Sequence, residues 1–115
     1  MDAGFHPLER VERLRDGYYA VFTVQGLELV LVQHDGVPHL LEGFCPHAGH
    51  PLARSRVVGG ELRCDMHGYR FDLGSGACTY YTEGPCRGLQ VYRPEARDGW
   101  LGVVLPPHGL VPAQA

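Results

Sequence analysis

CPHAGHPL at residues 45–52 and CDMHGYRFDLGSG at residues 64–76 each open with a cysteine that is followed, two or three positions later, by a histidine. Cys45 and His47 belong to the first stretch, Cys64 and His67 to the second, so two short loops each offer one thiolate and one imidazole. Sixteen residues separate His47 from Cys64, enough for a two-stranded excursion that returns both loops to one end of a sheet. Two Cys and two His fit a tetrahedral zinc ion or a two-iron, two-sulfide centre in which two His replace two Cys on one iron. Ligand identity alone leaves both open.

Spacing and context separate them. A zinc finger usually presents CxxC with HxxxH, whereas here each loop mixes the types as CxH and CxxH. A loop that gives one sulfur and one nitrogen can span two adjacent irons. With its continuation HGxxFDxxxG from His67 to Gly76, the pair of loops resembles the Rieske family, over about residues 17–105. The resemblance implies one Rieske-type 2Fe-2S cluster per chain, with Cys45 and Cys64 on one iron and His47 and His67 on the other. It also implies an all-β Rieske fold: an antiparallel β-sandwich or barrel base with a cluster-binding subdomain of about residues 45–81 inserted, the whole of residues 1–115 forming one domain.

Mixed ligation has an electrostatic consequence. Two ferric ions and two sulfides with four thiolates leave a centre of about minus two, and exchanging two thiolates for neutral imidazoles leaves about zero. An electron enters a neutral centre more easily than a dianion, so Rieske potentials of about −150 to +300 mV lie above the roughly −400 mV of plant-type ferredoxins. High-potential Rieske proteins of respiratory complexes have two further cysteines at the places held here by His50 and Met66, so the disulfide of that branch cannot form. Their hydroxyl donors to the cluster sulfurs correspond by motif to Tyr69 and Phe71, and Phe71 has no hydroxyl. Lost donors lower the potential, which places this chain at about −150 to 0 mV.

The 115 residues suffice for one domain burying roughly two-thirds of its extended surface. Hydrophobic content of 44% with 16 Gly and 9 Pro reads as a turn-rich β protein, and no 20-residue apolar span is present. Residues 1–6 lack a basic segment followed by an apolar run, so no secretory signal is visible and a cytoplasmic location is expected. The formal charge of −3 argues against a nucleic-acid partner. It is compatible with docking onto a basic protein surface, although aiding solubility is explanation enough. Cys78 and Cys86 remain; in a reducing cytosol two thiols are favoured over a disulfide.

Residues 18–24, 27–33 and 37–42 read as a strand meander broken by QG and DG turns, in which Gly26 and Gly36 suit positive backbone dihedrals. Residues 54–58 and 61–64 flank a Gly59-Gly60 turn, and 69–73 and 77–81 a GSG turn. Residues 89–92 and 100–105 are expected to return to the larger sheet, and 8–14 to hold a strand followed by a turn at Asp16-Gly17. A Pro/Ala/Gln tail at 106–115 reads as an exposed, mobile end. Gly49 and Gly68 are expected to let the ligand loops turn close to the cluster. His50 is assigned a surface or loop-supporting role, and Gly84-Pro85-Cys86 resembles the proline-containing loop that covers the cluster in this family, with Arg87 where a second Pro is frequent.

The resemblance implies a non-catalytic, monomeric electron carrier that transiently docks a flavoprotein reductase and a terminal Rieske oxygenase. An oxygenase itself would need a further domain bearing a mononuclear iron. Two other readings stand beside it: a small Rieske subunit of a larger reductase such as nitrite reductase, and a zinc-stabilised interaction module. Copurification with a large subunit separates the first, and a colourless protein with one zinc the second.

Overall fold

The computed structural model describes residues 4–46, 49–65 and 68–105. The ligand candidates His47 and His67, together with Met66 and the 106–115 tail, lie outside the described residues. Strand β1 (Phe5–Arg10) leads through a 3-10 turn at Val11–Arg13 into a meander of β2 (Tyr19–Val24), β3 (Leu27–His34) and β4 (Val37–Glu42). Next come β5 (Phe44–Cys45), β6 (His50–Pro51), a 3-10 turn at Leu52–Arg54, β7 (Arg56–Val58), β8 (Glu61–Arg63), β9 (Arg70–Asp72) and β10 (Cys78–Tyr80). The chain then closes through β11 (Val91–Tyr92), β12 (Pro94–Arg97) and β13 (Trp100–Val104).

Two-residue turns set the meander's register. Gln25 and Gly26 have φ of 52° and 79°, Asp35 and Gly36 of 51° and 76°, and the flanking pairs Val24↔Leu27 and His34↔Val37 close directly over them. Positive φ at both central residues is the type I′ hairpin, whose twist matches that of the strands. A third such turn, Asp98-Gly99, joins β12 to β13.

The strands form a β11-β4-β3-β2 sheet, a β1-β13-β12 sheet, a β10-β9-β8-β7 sheet and the short β5-β6 pair. Residues 100–105 therefore do not rejoin the meander, as the sequence led us to expect. Strand β13 pairs on one side with β1 and on the other with β12. The amino-terminal strand begins earlier than expected, at Phe5, and residues 11–13 are already in the 3-10 turn.

The meander is the middle layer, and the apolar run of β3 shows why. Leu29 and Leu31 point to one face and Val30 and Val32 to the other, all 0–2% exposed, because successive side chains in a strand alternate. The leucine face packs with Leu40, Leu101, Val103 and Leu105 against the terminal sheet. Val30, Val32 and Leu41 pack on the opposite side with Leu52, Leu62, Phe71, Leu73 and Leu89, in a cluster that also holds Cys45 and Cys64. A strand buried on both faces reads as continuous rather than alternating hydrophobicity. None of the helical segments among the described residues is long and apolar enough to cross a membrane.

Candidate metal centre

Both cysteine loops are built on one local plan. Cys45 ends β5 and lies opposite His50 of β6, and its carbonyl accepts the Gly49 N–H at 2.7 Å. Cys64 follows β8 directly, and its carbonyl accepts the Gly68 N–H at 3.1 Å while its own N–H donates to the Tyr69 carbonyl at 2.7 Å. In each loop the N–H four residues beyond the cysteine folds back onto it. The closing residue is a glycine at φ 68° or 74°. An added Cβ would meet nothing within 4 Å at Gly49 and only the Arg63 guanidinium, at 4.0 Å, at Gly68. Among the described residues, backbone conformation rather than crowding calls for glycine at these two places.

The two thiols sit in the same apolar cluster, 1% exposed at Cys45 and 2% at Cys64, and none of the four cysteines is in a disulfide. Two buried sulfurs delivered by matched loops fit the sulfur half of a Rieske ligand set. The donor chemistry is that of a thiolate-bound iron, with an imidazole two or three residues further along each loop.

Neighbouring side chains fasten the loops to each other. His50 Nε2 lies 2.8 Å from Asp65 Oδ1, so the position that carries a cysteine in the high-potential branch makes a non-covalent link between the loops instead. The Asp65 N–H donates to Ser55 Oγ at 3.2 Å, and the Tyr19 hydroxyl donates to the Leu52 carbonyl. Burial raises the Tyr19 hydroxyl well above its ordinary range.

Tyr69 and Phe71 are both fully buried. The Tyr69 hydroxyl donates to the Gly84 carbonyl at 2.6 Å and accepts the Glu83 N–H at 3.2 Å. Its one proton is committed to the 82–88 loop. That loop is tied down again where a second proline is frequent: Arg87 Nη1 and Nη2 reach Glu42 of β4 at 2.6 and 3.0 Å, and Glu42 Oε1 also accepts the Gln90 N–H at 2.6 Å. Within the loop, Cys86 Sγ approaches Cys78 Sγ to 3.7 Å. Burial first, then the contact with Cys78, pushes the Cys86 thiol up to about 12.

The chain belongs to the Rieske [2Fe-2S] domain family, whose model matches residues 4–93. It therefore carries a Rieske-type 2Fe-2S cluster as its prosthetic group. Among curated relatives it is 33% identical over 103 residues to chlorophyllide a oxygenase of Chlamydomonas reinhardtii, covering 86% of this chain and 16% of that protein. It is 36% identical over 67 residues to the ferredoxin component of the alkene monooxygenase system of Xanthobacter autotrophicus, covering 57% of this chain and 55% of that one. The chain thus spans a small part of the first relative's length and about half of the second's. In structure it is similar to a ferredoxin of Sphingomonas yanoikuyae, with a TM-score of 0.77 at 24% identity over 89% of this chain and 99% of that one. At that identity the likeness is one of fold.

Asp65, Ser55 and the Arg87–Glu42 pair escaped the sequence reading. Their partners are 15, 10 and 45 residues away, and no local pattern announces such contacts.

Proposed function

We propose that this chain is a one-electron carrier, taking electrons from a flavin-dependent reductase and passing them to a terminal oxygenase. The observation that carries the reading is the placement of Cys45 and Cys64 in one buried cluster by two loops of the same backbone plan. The relative that is itself the ferredoxin component of an alkene monooxygenase system supports the oxygenase side.

Cys45, Cys64, His47 and His67 would hold the cluster. When bound, the cluster supplies one-electron redox chemistry. The protein's own residues keep water from the sulfur ligands: Leu52, Leu62, Tyr69 and Phe71 wall the cysteines in with side chains that solvent does not reach. The His50–Asp65 link and the Tyr69–Gly84 hydrogen bond hold the ligand loops and the covering loop in place. Brief docking suits a shuttle.

Anaerobic purification tests the reading. Two irons and two acid-labile sulfides per chain, a red-brown colour, a paramagnetic reduced state, and reduction by a nicotinamide-dependent flavoprotein are the expected results. One zinc with no sulfide overturns it. A His67→Cys variant should lower the potential or lose the centre, and an unchanged spectrum and midpoint would contradict that ligand.

A further inference from the structure

The outer face of the β10-β9-β8-β7 sheet carries a row of charge that holding a cluster does not require. Strand register sets Arg56 opposite Arg63, Arg63 opposite Arg70, and Arg70 opposite Tyr80. Directly opposed residues share a face, so the three arginines share the outer face, Arg56 exposed and Arg63 and Arg70 half-buried, with Arg70 Nε buried and without a hydrogen-bond partner among the described residues, while Val57, Leu62, Phe71 and Cys78 turn into the core on the other face. Like charges directly opposite one another destabilise a sheet. Among the described residues none of the three arginines has an ion-pair partner. Arg70 instead lies over the Tyr80 ring, 5.3 Å from its centroid.

The carboxylates of the same face, Glu61 and Asp72, form the adjacent cross-strand pair. They lie at the end of the sheet further from the ligand loops, and Asp72 Oδ2 is engaged by the Ser75 N–H at 2.8 Å and hydroxyl at 3.0 Å. The arginine row is at the near end. Arg63 directly precedes Cys64 and Arg70 directly follows Tyr69, and a methyl on Gly68 would lie 4.0 Å from Arg63 Nε and Nη2. Asp65, the nearest acid in sequence, is bound by His50. A chain of net charge −3 is therefore locally positive beside its metal loops.

We propose that the Arg56–Arg63–Arg70 row is the docking face for an acidic, carboxylate-rich patch on the redox partner protein. Guanidinium forks match carboxylates bidentately, and a basic strip beside the electron exit steers an acidic partner into place. Tyr80, 49% exposed, ends the row beside Arg70 and supplies apolar contact. Net charge alone is compatible with a basic partner surface, and the local arrangement points the other way. The inference rests on the electron-carrier reading.

The test uses two probes that need no knowledge of the partner. In the first, the reduced holoprotein gives one electron to hexacyanoferrate(III), which becomes hexacyanoferrate(II) with no bond or proton exchanged, and the rate is followed against ionic strength. Each positive charge lost beside the electron exit should raise the rate at about 0.1 M salt relative to that at about 0.01 M by up to about fivefold, as the Debye length shortens from about 30 to about 10 Å. The R56Q/R63Q/R70Q variant should therefore have a salt slope more positive than that of the wild type. In the second, a hexa-aspartate peptide is titrated into the holoprotein calorimetrically, with salt-sensitive binding expected for the wild type and none for the variant.

A triple variant whose salt slope equals that of the wild type overturns the proposal, as does a wild type that does not bind the peptide. If that variant does not fold, R56Q alone on the edge strand should give about a third of the triple variant's shift in the logarithm of the rate, contributions at separate residues adding, and E61Q should shift the slope the opposite way. Absence of any electron transfer would sink the carrier reading, and the peptide titration would still decide the docking face.

Discussion

Replacing Tyr69 by Phe separates two roles that a hydroxyl beside a Rieske centre can play. In the high-potential branch such a group donates to a cluster sulfur. Here the proton points at the Gly84 carbonyl, 2.6 Å away, and the oxygen accepts the Glu83 N–H at 3.2 Å. The substitution keeps the ring in its fully buried site and removes both bonds. Gly84 is half-buried and Glu83 exposed, so water can take over part of what is lost, and the net effect stays near the low end for one or two hydrogen bonds. For 115 residues a loss of about 0.5–1 kcal/mol corresponds to a melting temperature lower by about 2–4 °C. The midpoint potential should barely move. A donor to sulfur that favoured the reduced state by about 1–2 kcal/mol would instead contribute about 40–85 mV, since a one-electron couple shifts 59 mV per tenfold change. Thermal unfolding followed by circular dichroism and a spectroelectrochemical titration of Y69F against wild type give both numbers. A fall in midpoint of more than about 40 mV with unchanged melting would refute the assignment. The wild-type midpoint itself is expected at about −150 to 0 mV, and a value above about +150 mV would mean that sulfur donors are present after all.

Gly76→Ala should unfold the cluster end: its φ is 77° and an added Cβ would sit 2.1 Å from the Leu89 carbonyl oxygen, a backbone clash expected to cost upwards of about 3 kcal/mol, read as loss of soluble, cluster-loaded protein. A double-mutant cycle of His50→Ala and Asp65→Ala should give a coupling of about 0.2–1 kcal/mol, as for a partly exposed pair, with faster cluster loss in both single variants; zero coupling would mean the 2.8 Å contact does not hold the loops together. Because Cys78 and Cys86 lie 3.7 Å apart, on a strand end and an irregular loop, oxidised glutathione should convert the pair to a disulfide, the two thiols giving two electrons and two protons to the glutathione disulfide. Mass spectrometry should show the loss of two hydrogens in the wild type and none in Cys86→Ser, and a wild type that resists oxidation would refute the expectation.

The two cysteine loops, the all-β class and the meander were legible because their signals are local. A type I′ turn is written in two residues, as at Gln25-Gly26 and Asp35-Gly36, and an apolar run such as 29–32 declares burial on both faces. Strand β12 was missed although Asp98-Gly99 marks its hairpin, because Pro94 and the charges of PEAR hide a strand that pairs on only one side. The resemblance likewise suggested that Tyr69 stands where a sulfur donor is found, and only the coordinates show that its hydroxyl faces Gly84.

By itself the sequence determined which residues offer thiolate and imidazole donors and where the chain must turn, because donor chemistry and glycine's access to positive φ belong to single residues and their immediate neighbours. Tertiary structure decided which distant groups stand together. The His50–Asp65 link, the Arg87–Glu42 anchor and the Arg56–Arg63–Arg70 row all arise from pairings between strands and loops. Register fixes those pairings, and register is a property of the whole packed sheet, since a slip of one residue would turn each inward side chain out.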